Sequence, residues 1–388
     1  MKKNICVVTS TRAEYGLLRP LLSALSDSLM FELQLVVTGT HLSPEFGLTT
    51  QAIISDGFYI HDEVEMLMSA DSASATAKAM GLTCLGFSDV FKRNQPDALI
   101  ILGDRYEILC VAATATVFNI PIIHLHGGEV TEGAIDDVFR HAITKLSHLH
   151  FTSTEIYRKR VIQMGEMPGS VYNVGAIGLD NIRMLPLLRR EELAAQLGIS
   201  LEVPYFLVTY HPVTRELGDS LEQVDALCDA LLAQRNTQAI ITGANADTGG
   251  REINKRFKEW ATKFPSRLHY FESLGHLRYL SAMKSTIAVV GNSSSGILEA
   301  PSFCIPTLNI GTRQQGRICA SSVVHSGSDL NQIQSGFEKI KNEEFLAKLS
   351  ETKNPYGDGM ATQKIIKVME EIDFSTLTTK KFYDGRSE

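Results

Sequence analysis

Two successive sets of short, unbroken apolar runs, each run separated from the next by a segment of helical spacing, constrain this chain more than any other feature. The first set occupies residues 5–8, 33–38, 98–103, 121–125 and 148–152, with helical spacing at 17–29 and 106–118. The second set restarts at 205–210 and continues through 238–242, 269–271, 286–290 and 306–310, with a helix expected near 220–233. Strands that read as continuous Val/Ile/Leu runs are covered on both faces, the signature of a parallel sheet sandwiched between helices. At 388 residues the chain exceeds one ordinary core. The expected fold class is therefore α/β, two Rossmann-like domains with a cleft between them. The expected boundaries are 1–180 for the first domain and 181–365 for the second, with a hinge region within 174–201. A C-terminal helix and tail at 366–388 is expected to pack back on the first domain, after the turn NPYGDG. Open parallel sheets bind ligands at the carboxyl ends of their strands, so the loops there are where chemistry is sought.

Composition narrows the partners. A net charge of −7 argues against a general nucleic-acid binder, which carries a basic stripe. No stretch approaches the ~20 apolar residues of a membrane helix, and the apolar run near the N-terminus is too short for a secretory signal. The six cysteines (6, 84, 110, 228, 304 and 319) form no CxxC pair and mostly sit in apolar runs, which reads as reduced thiols in a cytoplasmic protein.

The segment GNSSSGILEAP at 291–301 carries the clearest chemical signal. An apolar strand runs into a Gly/Ser turn and then a helix. Gly291 lets the backbone approach a ligand, and Asn292, Ser293 and Ser294 surround N–H groups that suit a phosphate. A simple N-cap needs only one serine. Glu299 is expected about one and a half turns inside the helix, where its carboxylate suits ribose hydroxyls. Arg313 and Arg317 follow in GTRQQGR, and guanidinium forks match phosphate geometry. His211 ends the run YFLVTYHP, and GANADTGG at 243–250 adds Asn245 and Asp247 as weaker nucleoside candidates.

The first half presents a different set. TSTRAEYG at 9–16 is not GxGxxG, which weakens a dinucleotide reading; it places Arg12 and three hydroxyls at a strand end, where Ser10 or Thr11 also suits an N-cap. LGDRYE at 102–107 puts Asp104 and Arg105 at another strand end, Asp104 doubling as a candidate cap. HLHGGEVTEGAIDDVFRHAITK at 124–145 crowds Glu129, Glu132, Asp136 and Asp137 into one loop and helix start. Crowded carboxylates repel, one pKa rises, and a general acid–base role becomes available. Asp136 and Arg140 have i,i+4 spacing for an ion pair. His124 and His126, with Glu129, lack the spacing of a zinc site, and no metal or other cofactor is expected.

Taken in order, TSTRAEYG, LGDRYE, HGGEVTEGAIDDVFRHAITK, YHP, GANADTG, GNSSSGILE and GTRQQGR resemble the UDP-N-acetylglucosamine 2-epimerase family, specifically its hydrolysing branch. The resemblance covers nearly the whole chain and implies the two-domain glycosyltransferase-B fold. It implies the conversion of UDP-N-acetylglucosamine and water to N-acetylmannosamine and UDP through a 2-acetamidoglucal, the opening step of sialic acid biosynthesis. By position, Asp104, Glu129 and Asp136 match the acid–base region, and His211 matches the histidine near the diphosphate. Arg12, Ser293, Ser294, Glu299 and Arg313 match UDP contacts, with Arg105 beside them. Several relatives carry a catalytic Glu two residues before the paired glycines, where this chain has His126; either His126 takes a proton-transfer or hydrogen-bonding task or Glu129 carries more of it. The family also implies a nucleotide-sugar substrate and a homodimer or homotetramer.

Alternatives share parts of this pattern. A hydrolysing 2-epimerase of the legionaminic acid pathway, acting on GDP-N-acetylglucosamine or a UDP-2,4-diacetamido-2,4,6-trideoxyhexose, uses the same chemistry. A non-hydrolysing epimerase keeps UDP attached, and HGGE argues against it. A glycosyltransferase has no need of the acidic cluster at 129–137. A nucleotide-sugar-binding regulator keeps GNSSSG without needing Asp104 and Glu129.

Overall fold

The structure, a computed structural model, describes residues 2–70, 72–131, 135–212, 220–244 and 250–385. It divides into two compact units, Met1–Met184 with Tyr356–Glu388, and Leu185–Pro355.

The first unit is built on a seven-stranded sheet: β1 (Lys3–Thr9), β2 (Phe31–Thr38), β3 (Ile60–Val64), β4 (Ala98–Leu102), β5 (Ile122–Leu125), β6 (Leu149–Thr152) and β7 (Val171–Asn173). All pairs are parallel, in the order β3-β2-β1-β4-β5-β6-β7. The unbroken apolar run of β1 is explained by burial on both faces. Ile5 and Val7 pack with Leu18, Leu21, Leu22 and Leu25 on one side. Cys6 and Val8 pack with Phe87, Val90, Ile108 and Val111 on the other. Period-2 alternation thus separates two core layers rather than core from solvent.

The helix Arg12–Ser26 starts earlier than its apolar spacing suggested, because Thr11 and Glu14 form a capping box at its N-terminus. Pro20 lies inside it. A proline offers no N–H to the carbonyl four residues back, and the Gly16 oxygen instead accepts from Asn181 Nδ2 at 3.0 Å. The chain returns to this unit after residue 355. The carboxylate of Asp180 accepts from the N–H groups of Ala361 (2.9 Å) and Thr362 (2.6 Å), satisfying the start of the Ala361–Glu371 helix.

The second unit repeats the plan with six parallel strands: β8 (Tyr205–Thr209), β9 (Gln238–Thr242), β10 (Leu268–Phe271), β11 (Ala288–Gly291), β12 (Thr307–Ile310) and β13 (Val323–Ser326), in the order β10-β9-β8-β11-β12-β13. Phe206 and Val208 face one core and Tyr205 and Leu207 the other. Both sheets reverse their strand order at one place, between β1 and β4 and between β8 and β11. Such switch points open a crevice at the carboxyl ends of the strands. Ser10 and Gly103 follow the first pair; Tyr210 and Asn292 follow the second. Among the described residues no helix is long and apolar enough to cross a membrane, and all six cysteines are free.

Candidate functional site

In the first unit, three strand ends converge on a set of charged side chains. At the end of β1, the Glu14 carboxylate accepts from Ser10 N (2.7 Å), Ser10 Oγ (2.7 Å) and Thr11 N (3.2 Å). Burial pushes its pKa up to about 7, against the Ser10 bonds and with help from nearby Glu107. Arg12, at the first helical position, is exposed and makes no side-chain bond among the described residues.

At the end of β4, Gly103 turns the chain and Asp104 forms an ion pair with Arg140. Arg105, not Asp104, occupies the capping position of the Tyr106–Val117 helix, with no side-chain cap bond. Its Nε meets Glu107 Oε1 at 2.5 Å. Glu107 is buried, and its other oxygen has no partner among the described residues. The carboxylate therefore holds the Arg105 fork from behind while the arginine stays 40% exposed.

Beyond β5 the chain passes through His126, whose φ of +65° is uncommon for a non-glycine residue. Its Nε2 accepts from Ile177 N at 3.2 Å. A ring accepting at Nε2 carries its hydrogen on Nδ1, which donates to Glu129 Oε1 at 3.1 Å. Ser153 Oγ donates to the same oxygen at 2.8 Å. His124 is turned the other way: its nitrogens face the Gly103 oxygen (2.8 Å) and Thr144 Oγ1 (3.2 Å) in full burial. Gly128 is required by packing, since a Cβ there would sit 2.6 Å from the Tyr157 oxygen.

The helix Ile135–Leu146 supplies the rest. Buried Arg140 reaches the Glu129 carbonyl (2.9 Å), Asp137 Oδ1 (3.2 Å), Thr131 Oγ1 (3.2 Å) and Asp104. The expected i,i+4 pair with Asp136 does not form. Arg140 pairs at i,i+3 with Asp137 and across to Asp104, because a long guanidinium gains more from a buried multi-acceptor site than from one surface partner. Asp136 is left half-buried without a side-chain partner among the described residues. Its pKa is raised, first by burial and then by the charge of Asp104. Glu132 lies outside the described residues.

In the second unit, Asn292 organises the candidate phosphate cradle. Both ends of its amide are engaged: Oδ1 accepts from His211 N (2.7 Å) and Nδ2 donates to His211 O (2.8 Å). Its carbonyl accepts from Arg313 Nη1 (3.1 Å) and Gln314 Nε2 (2.8 Å). A buried asparagine thus ties three loops together, with Ser293, Ser294 and Arg313 partly exposed beside it and His211 buried. Burial, with the Arg313 charge, lowers the His211 pKa to about 4, so the ring is neutral near pH 7. Ser293 Oγ lies 3.0 Å from Ser295 Oγ, which meets the Tyr279 hydroxyl at 2.5 Å.

The helix after the cradle differs from expectation. It is one turn, Ser295–Leu298, and Glu299 ends it rather than lying inside it. Pro301 is the cause: it has no N–H to donate to the carbonyl four residues back, so α-helical bonding stops and a 3-10 turn follows at Ala300–Phe303. Glu299 is consequently held against the protein rather than solvated. Burial alone pushes its pKa up to about 7. Asn245 and Asp247 lie outside the described residues, and Arg317 makes no side-chain bond among them.

The raised Glu299 pKa has a stability consequence. A carboxyl whose folded pKa lies above its unfolded value binds protons more readily when folded, so stability falls as pH rises from about 4.5 through 7. Glu299→Gln is expected to raise the stability of the second unit at pH 8 by about 1–2 kcal/mol and to have little effect at pH 5. Denaturant unfolding at both pH values checks it; equal effects at the two would exclude the ionisation argument.

Sequence reasoning missed Glu14, Glu107, Tyr279 and Gln314. Glu14 had a readable signal, the T-x-x-E spacing of a capping box. The other three are set by tertiary packing.

Comparison with known proteins gives a consistent picture. A family model described as UDP-N-acetylglucosamine 2-epimerase matches residues 23–370. A Campylobacter jejuni protein, GDP/UDP-N,N'-diacetylbacillosamine 2-epimerase (hydrolyzing), is 40% identical over 384 residues, covering 99% of each chain. Polysialic acid biosynthesis protein P7 of Escherichia coli is 39% identical, covering 98% of this chain and 97% of its own. The crystal structure of the Neisseria meningitidis UDP-GlcNAc 2-epimerase bound to UDP-GlcNAc shares the fold, with a TM-score of 0.82 at 17% identity over 95% of this chain and all of that one.

Proposed function

The chain belongs to the UDP-N-acetylglucosamine 2-epimerase family, and from that premise we propose that it is a hydrolysing 2-epimerase that converts UDP-N-acetylglucosamine and water to N-acetylmannosamine and UDP. One observation carries the reading. Two neighbouring carboxyls at a strand-end site stand in opposed environments, Asp104 in an ion pair with Arg140 and Asp136 half-buried, with no ion-pair partner among the described residues and a raised pKa. Two carboxyls in such different surroundings are the arrangement that acid–base chemistry at one site uses.

A carboxylate among Asp104, Glu129 and Asp136 takes the C2 proton while the C1–O bond breaks. The electron pair of the C2–H bond becomes the C1–C2 double bond of a 2-acetamidoglucal, and UDP leaves with the C1–O pair. Water then adds at C1 and a proton returns to C2 on the opposite face. His126, fixed by Ile177, orients Glu129 for its part. UDP departs as an anion, which suits the N–H groups and hydroxyls of Ser293 and Ser294, the guanidiniums of Arg313, Arg12 and Arg105, and neutral His211 as a donor. Glu299 suits the ribose hydroxyls. The reading takes the enzyme as cytoplasmic, supported by six free cysteines, and as a homodimer or homotetramer.

Incubation with UDP-N-acetylglucosamine in deuterated water, followed by NMR, tests the proposal. Free N-acetylmannosamine with deuterium at C2, together with UDP, is expected. A product still linked to UDP would overturn it. A second reading is favoured by the 40% identity to the diacetylbacillosamine enzyme: the same steps on a sugar bearing a 4-acetamido group, the legionaminic-type alternative. Turnover of that nucleotide sugar alone, with none of UDP-N-acetylglucosamine, would select it.

A further inference from the structure

The helix Ile135–Leu146 carries Asp136 and Arg140 at its start, and its other end is held by an unexpected part of the chain. The last four carbonyls of a helix have no partner within it and form the negative end of its dipole. Here Lys380, more than 230 residues away, brings its ammonium to that end. Its Nζ donates to Lys145 O at 2.7 Å and Ser147 O at 2.6 Å, with Thr144 O at 3.4 Å. It also pairs with Glu166 Oε2 at 2.8 Å. Three N–H bonds are thus matched to three close acceptors.

Glu166 makes the contact a latch. The carboxylate is buried, and it also receives Lys145 Nζ at 2.5 Å and His150 Nε2 at 3.0 Å. Burial opposes its ionised form, yet these three partners hold its pKa down to about 2. Next to it, Tyr383 N donates to Gly165 O at 2.9 Å. The ring of Phe382 occupies the space a side chain on Gly165 would need, and Lys145 Nζ lies 4.8 Å from that ring's centre.

The latched end is coupled to the site. Thr144 Oγ1 contacts Arg140 O at 3.0 Å and His124 Nδ1 at 3.2 Å, and His124 Nε2 holds the Gly103 oxygen at 2.8 Å, one residue before Asp104. The same turn of helix therefore touches both the Arg140 backbone and the loop bearing its partner. At 1.5 Å per residue, Lys145 and Asp136 are about 14 Å apart along the helix.

We propose that Lys380 is a positioning residue for the reaction, fixing the C-terminal end of the Ile135–Leu146 helix so that Arg140 and Asp136 are held in register with Asp104. The inference rests on the acid–base reading of that helix. Lys380 touches no reacting group and acts only through the helix.

The test uses full-length Lys380→Met and Lys380→Arg, with Asp136→Asn as reference. Lys380→Met is expected to lower kcat about tenfold, since small misplacements of reacting groups are amplified in rate. KM and the Kd for UDP should change less than twofold, and amide exchange should rise in the last turn of the helix. Lys380→Arg, which keeps the cation, should recover most of kcat. Unchanged kcat in Lys380→Met overturns the proposal, as does a parallel loss of UDP binding or a failure of Lys380→Arg to recover. Wild-type turnover in Asp136→Asn would instead reject the acid–base reading itself, so the two failures are separable.

Discussion

Arg140→Met is expected to reduce turnover by about 10²–10³, the scale seen when one preorganised electrostatic partner is lost. It should also destabilise the first unit by about 2 kcal/mol, because removing the buried arginine leaves the partly buried Asp104 and Asp137 uncompensated. One guanidinium, 5% exposed, bonds Asp104, Asp137, Thr131 and the Glu129 carbonyl. Removing it leaves Asp104 and Asp137 without this partner and frees the loop that presents Glu129. The opposed environments on which the proposed proton transfers depend then disappear together. Arg140→Lys should recover little, since an ammonium cannot make the fork that spans these acceptors. Steady-state rates and denaturant unfolding check both parts, with UDP affinity as a control for the intact second unit. Wild-type turnover in Arg140→Met would mean that the carboxylates need no clamp.

The central strands and the strand-end loops were legible in the sequence because their burial is nearly uniform. β1, β4, β8 and β9 are apolar on both faces, and no tertiary information is needed to see it. The strands left unread, β3 (IHDEV), β7 (VYN) and β13 (VVHS), all lie at sheet edges, where partial exposure admits charged and polar residues and erases the run. The candidate site shows the same division. Asp104, Asp136, Ser293 and Arg313 fall at strand ends or helix starts and could be named from position. Their partners could not. Arg140 has two acidic residues within helical reach, and only the fold decides that it takes Asp137 and Asp104. The spacing of Glu299 from the turn allows a place inside a helix; Pro301 ends that helix first. Lys380 sits in a polar tail whose composition gives no sign that it caps a helix formed by residues 135–146.

Gly291→Ala is the substitution expected to damage the second unit most. Gly291 ends β11 at φ +127°, a region that a residue with a Cβ occupies only at a cost of about 1–3 kcal/mol. Its parallel partner on β8 is Thr209, and an added Cβ would overlap the Thr209 carbonyl oxygen and carbon, well inside van der Waals contact. The obstruction is backbone, so no rotamer change relieves it. β8 and β11 must separate, and the 3.1 Å bond from Asn292 N to Thr209 O lies at that spot. Asn292 is the residue whose amide holds the N–H and the carbonyl of His211 and whose own carbonyl holds Arg313 and Gln314, so the shift spreads to all three. The expected loss is about 3 kcal/mol in the unfolding of the second unit and at least about a hundredfold in UDP affinity, equivalent to ~2.7 kcal/mol. Gly296→Ala provides the contrast: its Cβ would meet the Thr307 methyl at 2.7 Å, a side-chain obstacle that repacking relieves in part, and UDP affinity should fall far less. Calorimetric titration with UDP and thermal unfolding of both variants decide the matter, and equal UDP affinity in the two would show that Gly291 is kept for something other than the close approach of β8 and β11.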